Sequence, residues 1–507
     1  MLDLNRRSLI KGSVAAGVTA LFGTAAQAST KVPAKWDETH DVVVIGSGFA
    51  GLAAAIEAKK AGADTVVLEK MPTAGGNSII NGGILTATGC PQQLKHGIKD
   101  SPELLASDML AAGLYMNQPE KVKLVAKSAL SNYEWTVKEL GVEYNLEAIG
   151  QEGGHSVPRY VFTKNGSGSG IVTKELEKLK KMGVPVRLRC YVERIFRDDS
   201  GRVVGVQIRE GYRFPKANSG KVKTIGVKKG LVLCYGGFSR DVAYRMMQDP
   251  KLVAKLDSTN QPGATAGVLI KALGIGAAPV QLCWLQFLPY CNPNEKGFGV
   301  SVNFTNHACM DLGLVVDRKT GKRFMDEHAG RKIKADAMFK VIGNDKNYPI
   351  AVCDDAIVKA INPSFVRLPL EMGTVKKFDT LEALAKHFGI KQDAFLAEVK
   401  KFNNFVKEGT DKDFHRILKF NKGLDVSKPP FYGIEVCPKI HHTMGGVMIN
   451  NNAQVISATT HAPIKGLYAG GEVTGGVHGA SRLGTVAVID ALTFGMIAGE
   501  QFAKMKA

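Results

Sequence analysis

The stretch Asp41–Lys70, DVVVIGSGFAGLAAAIEAKKAGADTVVLEK, restricts the fold of this chain more than any other part of it. Val42, Val43, Val44 and Ile45 form an unbroken β-branched run, the pattern of a strand buried on both faces in a parallel sheet. Gly46-Ser47-Gly48-Phe49-Ala50-Gly51 follows, then a helical run from Leu52 to Ala61, a stop at Gly62, and a second strand, Thr65 to Leu68, that closes on Glu69. In such a strand–turn–helix, Gly46 permits the tight turn, Gly48 lets backbone approach a pyrophosphate, and Gly51 lets helix and strand pack closely. The helix N-terminus then offers unpaired N–H groups to phosphate oxygens. Glu69 lies 18 residues beyond Gly51, where a carboxylate accepts hydrogen bonds from ribose hydroxyls. The unit predicts a Rossmann-type dinucleotide-binding sheet, and alone it does not separate FAD from NAD.

Elsewhere the glycines, 56 in all, cluster at Gly75-Gly76, Gly82-Gly83, Gly236-Gly237 and Gly470-Gly471, as suits backbone that wraps a large ligand. With 507 residues the chain has room for two or three domains. Its net charge is +19, but no basic run is interleaved with aromatics and no nucleic-acid motif is present. The charge is therefore expected on a solvated surface, steering anionic substrates or a negatively charged redox partner. Eight cysteines form no C-x-x-C, which excludes haem attachment and the usual iron–sulfur and zinc spacings, so no metal is expected and electrons must arrive from another protein. Arg6-Arg7 before the apolar stretch Val14 to Phe22, with Ala26-Gln27-Ala28 after it, reads as a twin-arginine signal peptide over residues 1–28. Its removal takes away three basic groups and one acidic group and leaves +17. Export to the periplasm follows, and no later apolar run reads as long enough to span a bilayer.

Along the chain, Ser101 to Leu140 reads as helical, His155 to Gly170 as a polar glycine-rich loop, and Ile171 to Met182 as an amphipathic helix. Strands are expected at Val184 to Arg189, Val192 to Ile195 and Val203 to Val206, and from Lys229 into the Gly236-Gly237 turn. Met246 to Ala278 reads as mostly helical, and a hairpin is expected from Leu314 to Phe324. The pattern changes near Cys283 and the dense glycines return after Ile440. The predicted organisation is α/β: a Rossmann-type FAD-binding domain, residues 36–283 and 439–507, split by an inserted α+β capping domain, residues 284–438.

GSGFAGLAAAIEAKKAGADTVVLEK, GGNS, CYGGFSRD, GKRFMDE, HHTMGGVMI and AGGEVTGGVHGASRLG occur in this order from about Trp36 to the C-terminus. Together they resemble the flavoprotein subunit of the fumarate reductase and succinate dehydrogenase family. The nearest likeness is to soluble periplasmic fumarate reductases of the flavocytochrome c type and their enoate-reducing cousins. The resemblance implies FAD, a cap that closes over substrate, hydride transfer from flavin N5 to one alkene carbon and protonation of the other by an arginine. By position it assigns the proton donor to Arg331, the grip on a substrate carboxylate to His442 and Arg482, and a supporting contact to Thr305. To the cofactor it assigns Gly46, Gly48, Gly51, Glu69, Lys70, Gly75, Gly76, Asn77, Ser78, Gly82, Gly83, Val192, Gly236, Gly237, Gly471, Glu472 and Leu483, together with His442 and Arg482.

Three departures from the family pattern bear on chemistry. Leu288 stands where fumarate reductases carry a histidine for the second carboxylate, and Asn306 and Cys309 stand where they carry the glutamate and arginine of a proton relay. An apolar residue at the far end penalises a second charge by several kcal/mol. The expected substrate is thus a monocarboxylic enoate such as acrylate, methacrylate or a cinnamate-like acid, in a pocket with Leu288, Tyr290 and Asn306. Trp284, Phe287 and Tyr290 are expected to favour an aromatic or branched tail. The expected electron donor is a separate periplasmic cytochrome c. Fumarate reduction proper, a ketosteroid-type flavin dehydrogenase and a non-enzymatic flavin electron carrier are the alternatives.

Overall fold

The computed structural model describes residues 31–505, so the twin-arginine segment and its cleavage site lie outside the described residues. β1 (Glu38–Ile45), α1 (Phe49–Lys60) and β2 (Thr65–Leu68) form the expected opening unit. β3 (Val186–Arg187), β4 (Cys190–Arg197), β5 (Val203–Glu210) and β6 (Lys221–Leu233) follow, then β7 (Leu285–Cys291), β8 (Cys437–Thr443), β9 (Gln454–Ile456) and β10 (Pro463–Ala469). The main sheet runs β9-β10-β6-β1-β2-β3, with β5 also on β6 and β4 outside β5. Its centre is parallel, and the register sets Ile45 beside Leu68 and beside Leu233, and Leu233 beside Ala469. Four strands therefore end at one edge, and the loops that leave that edge begin at Gly46, Glu69, Cys234 and Gly470. In an open parallel sheet, ligands bind beyond the carboxyl ends of the strands.

β6 begins eight residues before the expected start because its first half pairs antiparallel with β5, from Glu210 with Lys221 to Gly205 with Gly226. The Ser101–Leu140 stretch is three helices, Pro102–Ala112, Pro119–Lys127 and Ala129–Lys138, since Gly113 ends one and Pro119 opens the next. Met246–Ala278 is less helical than its composition suggests. Only Val242–Gln248 and Gly267–Gly274 are helices there, separated by turns around Pro250 and Pro262-Gly263.

A second hydrophobic core draws on residues from Leu288 to Val436, around a four-stranded antiparallel sheet of Leu314–Val316, Ile350–Asp354, Phe431–Glu435 and Lys376–Phe378. The two cores are joined by a ribbon: β7 pairs antiparallel with β8, Leu285 opposite Thr443 and Cys291 opposite Cys437. α2 (Arg331–Ile342) packs against this ribbon from the second core.

The terminal helix α3 (Val486–Glu500) corrects one sequence expectation. Val486–Ala503, with mean hydropathy 1.3, is long and apolar enough to cross a membrane by length and composition. Here that stretch is 56% buried inside the protein, and α3 packs along α1. Its contact face explains the glycines: a Cβ on Gly495 would collide with the Ala50 carbonyl, and one on Gly499 with that of Ala54. A helix apolar on all sides is as much the signature of a core element as of a membrane span.

Candidate active site

The loops at the carboxyl edge of the sheet, the β7–β8 ribbon and the start of α2 enclose one cavity with an open volume of ≈ 1900 Å³. Glu69, Lys70, Tyr191 and Val192 line one end. The Glu69 carboxylate accepts from Ser47 Oγ at 2.7 Å, from Ser47 N at 3.2 Å and from Met71 N at 2.8 Å, which locks it beside the glycine turn. Burial lowers the Lys70 ammonium to about 8, and Lys70 Nζ donates to Thr265 Oγ1 at 2.8 Å.

Beyond them, Gly46, Ser47, Gly48 and the first residues of α1 line the cavity with Gly76, Asn77, Ser78 and Gly82. Gly46 has φ +102, and any side chain on it would strike the backbone of Cys234 and Tyr235. Phe49 N donates to Ser78 Oγ at 3.0 Å, tying the helix start to the GGNS segment. Gly236, Gly237, Gly471 and Glu472 complete this wall from the two other strand ends. A cradle of bare backbone along a helix N-terminus fits the pyrophosphate of FAD. Gly51, Gly75, Gly83 and Leu483 are not on the cavity surface. Gly51 touches Gly46, Gly75 packs on Ile79 and Val172, Gly83 lies against Ser167, and Leu483 lies under Gly154.

At the other end stand Glu152, Leu288, Tyr290, Asn306, Arg331, His442 and Arg482. β8 carries His442 in register with Gln286 of β7, and Gln286 Oε1 in turn accepts from Arg482 N at 2.9 Å. Arg331 is the first residue of α2. Four buried polar atoms here have no partner among the described residues: a trio of nitrogens, Arg331 Nη1, Arg482 Nε and His442 Nε2, and the amide oxygen Asn306 Oδ1. Leaving a buried polar group unpaired costs about 1–3 kcal/mol each, so the trio is built for an acceptor that comes from outside. Burial, and then the charge of Arg331, pulls the Arg482 guanidinium down to about 9, whereas an anion between the two would favour both charges. Burial, with Arg482 next, holds His442 well below its ordinary range, so its imidazole is neutral at pH 7, and as the Nε2–H tautomer it can donate to a ligand from Nε2. Glu472 Oε1, 3.7 Å from His442 Nδ1, accepts from Thr443 N at 2.9 Å.

Thr305 is not among these groups. It lies fully buried in the Thr305–Met310 π-helix, and its hydroxyl donates to the Ser301 carbonyl at 3.0 Å. Trp284 and Phe287 do not line the cavity either; Phe287 packs edge-on against Phe339 at 5.0 Å. The apolar lining near Leu288 comes instead from Phe298 and Val302.

The sequence reading missed Glu152. Arg331 donates to Glu152 Oε1 from Nε at 2.6 Å, with Nη2 at 2.5 Å from the same oxygen. Burial alone would raise the Glu152 carboxyl, but the charges of Arg331 and Lys334 outweigh it and hold the group below the usual carboxylate range. The segment Glu152-Gly153-Gly154 was the available signal, because each glycine serves a close approach. A side chain on Gly153 would strike the carbonyls of His328 and Ala329, just before α2, and Gly154 has φ +93. The loop is fixed from behind: His155 Nε2 bonds the Gly484 carbonyl at 2.9 Å, and the fully buried Arg159 side chain pairs with Asp100 and Asp108.

Residues 41–488 match the family model described as FAD binding domain. The chain is 39% identical over 499 residues to an acrylate reductase flavoprotein subunit of Shewanella woodyi, covering 98% of this chain and 97% of that one. It is 34% identical over 472 residues to a fumarate reductase (cytochrome) of Shewanella frigidimarina, covering 92% of this chain and 77% of the relative. Among solved structures it resembles the open conformation of a flavocytochrome c3 fumarate reductase, at 30% identity and TM-score 0.73, over 99% of this chain and 81% of that one.

Proposed function

The chain belongs to the FAD-binding family that includes the acrylate and fumarate reductase flavoproteins, and on that premise we propose that it reduces the C=C bond of an α,β-unsaturated monocarboxylate. It is an FAD-dependent oxidoreductase of the CH–CH class. The observation that carries the substrate reading is the trio of unpartnered donors, Arg331 Nη1, Arg482 Nε and His442 Nε2, in one cavity.

The glycine turn and α1 N-terminus would hold the pyrophosphate of FAD, and Glu69, Lys70 and Val192 would hold its adenosine. When bound, it supplies the hydride for one alkene carbon. Arg482 and His442 fix the substrate carboxylate, and a guanidinium fork with an imidazole restricts both its position and its tilt. As charge moves from the alkene toward the carboxylate, the same two donors, 4% and 6% exposed, stabilise it in a largely buried setting. Arg331 gives a proton to the remaining alkene carbon. Leu288, 2% exposed on the cavity wall, offers a second carboxylate no hydrogen bond. Around this end the lining cations are Arg331 and Arg482, and Glu152 already compensates the first. One further negative charge is neutralised there and a second is not, which favours acrylate, methacrylate or a larger monocarboxylate over fumarate.

The electron donor in this reading is a separate c-type cytochrome in the periplasm, consistent with the twin-arginine leader and with a sequence that lacks C-x-x-C-H. Purified holoprotein reduced anaerobically with a viologen dye tests the substrate class directly. Reoxidation by acrylate, methacrylate or cinnamate with a higher kcat/KM than by fumarate is expected. Faster turnover of fumarate than of every monocarboxylate would overturn the monocarboxylate reading, and no turnover of any enoate would overturn the activity. Recovery of the mature protein in the periplasmic fraction tests the location.

A further inference from the structure

Arg331 acts as an acid only if it is recharged after every turnover, and its side chain is only 11% exposed. With Asn306 and Cys309 on the π-helix side, no ionisable carboxylate or second guanidinium stands at those two positions. The side chains that do touch Arg331 are Glu152, by the two contacts to Oε1, and the Tyr290 ring, whose centroid is 5.9 Å from the guanidinium carbon. From Glu152 the bonding continues in one direction. Tyr290 Oη donates to Glu152 Oε1 at 3.3 Å, and Lys334 Nζ donates to Tyr290 Oη at 2.8 Å and to the Glu327 carbonyl at 3.1 Å. Lys334 is 2% exposed and its ammonium lies 4.6 Å from the Tyr290 ring centroid. A fully buried lysine one turn from the acid on the same helix, with a tyrosine as its partner, is more than packing requires.

We infer that Lys334, Tyr290 and Glu152 form a proton path that recharges Arg331, a path that rests on the reading of Arg331 as the acid. When Arg331 has protonated the substrate carbon, its guanidine is neutral and Glu152 is its only carboxylate partner among the described residues. Lys334 gives a proton to Tyr290 Oη while the phenolic proton of Tyr290 moves to Glu152, and the Glu152 carboxyl protonates Arg331. Three O–H or N–H bonds break and three form, no electrons are exchanged, and one positive charge moves from Lys334 to Arg331. Solvent returns the proton to Lys334 on its acidic side, where Asp311, 28% exposed and bonded to His307 at 3.1 Å, lies at the end of the π-helix. Glu152 and Tyr290 are positioning and proton-passing groups in this scheme; only Arg331 meets the substrate.

Burial lowers the Lys334 ammonium to about 8, against the opposing pull of Glu152, Asp311 and Asp326, with Arg331 on its own helix adding to the lowering. The other groups that face it are the Tyr290 phenol, which burial keeps protonated, and His328 from the neighbouring loop. A buried amine that holds its proton loosely is suited to passing it on. The amine must carry that proton to act, so kcat falls as pH rises through about 8.

Tyr290→Phe is the decisive variant, because it removes one oxygen and keeps the ring; Lys334→Met and Glu152→Gln are companions in case either alone misfolds. Each is assayed as holoprotein with viologen and acrylate, or with whichever enoate the wild type reduces fastest. In Tyr290→Phe, kcat falls on the order of 10²-fold with KM within a few fold, while reduction of the flavin by dye keeps its wild-type rate. In Lys334→Met the alkaline limb of kcat disappears at a lower plateau, and the solvent deuterium isotope effect on kcat rises in both variants. Wild-type kcat and an unchanged pH profile in Tyr290→Phe would overturn the path. Absence of turnover in the wild type itself would instead overturn the activity on which the path rests.

Discussion

Arg482 keeps two roles that a lysine could not combine. Its backbone N–H and Nη1 are committed to Gln286 and to the Leu483 carbonyl, and the planar fork still presents Nε to the cavity. Arg482→Lys removes the fork, so kcat/KM for the preferred enoate is expected to fall on the order of 10²-fold in steady-state assays, with both kcat and KM affected. Leu288 is the complementary case. Leu288→His adds a donor to a wall that has none, and the ratio of kcat/KM for fumarate to that for acrylate is expected to rise about 10- to 100-fold. An unchanged ratio would mean that the far end of the substrate lies elsewhere. Gly153 matters through what it lacks: Gly153→Ala puts a methyl group against the carbonyls of His328 and Ala329, which moves Glu152 off Arg331. A loss of kcat of about tenfold or more at unchanged FAD content is the expected readout.

Among the elements, the α1–α3 pair has a strict geometric demand. Ala50 and Ala491 both line the cavity, one on each helix, so the spacing of these helices sets the shape of the cofactor site. Gly495→Ala forces them apart at Ala50, and overpacking of this kind costs about 1–3 kcal/mol. Thermal unfolding and the FAD retained through gel filtration should both decrease, whereas substitution at a solvent-exposed glycine such as Gly62, with nothing within 4 Å, should leave FAD content unaltered. The β7–β8 ribbon works differently. It carries Leu288 and Tyr290 on one strand and His441 and His442 on the other, so both of the strands that link the cores line the cavity. Any motion of the second core relative to the first is felt at that ribbon and at Arg331.

For the whole molecule, folding is linked to protons through histidines kept neutral by burial. His155, 5% exposed, is lowered to about 4, and His442, 6% exposed, lies well below its ordinary range. Both bind a proton in the unfolded chain below about 6.5 but not in the folded one. Stability therefore falls as pH drops below about 6.5, by about 1.4 kcal/mol per pH unit for each of the two, until the folded values are reached. Urea midpoints at pH 7.5 and pH 5.5 measure this, and His155→Gln should reduce the slope by one such increment. The same scale shows how sequence and tertiary structure divide the information. The β1–α1–β2 unit was legible because its signals are local: a β-branched run demands burial, and glycines at fixed spacing demand a turn and a close approach. The terminal helix was legible from its long apolar run, and the family from the ordered motifs. Residue patterns did not show that β6 extends back to Lys221, that Thr305 turns its hydroxyl onto Ser301, or that Trp284 and Phe287 stay off the cavity, because each depends on what lies across from it. Glu152 is the clearest instance. It is separated from Arg331 by 179 positions, and the pair exists only because two cores, folded on different segments, bring a glycine-flanked loop against the start of a helix. Short-range chemistry writes itself into residue spacing, whereas a contact across such a separation is set by packing, which no local pattern encodes.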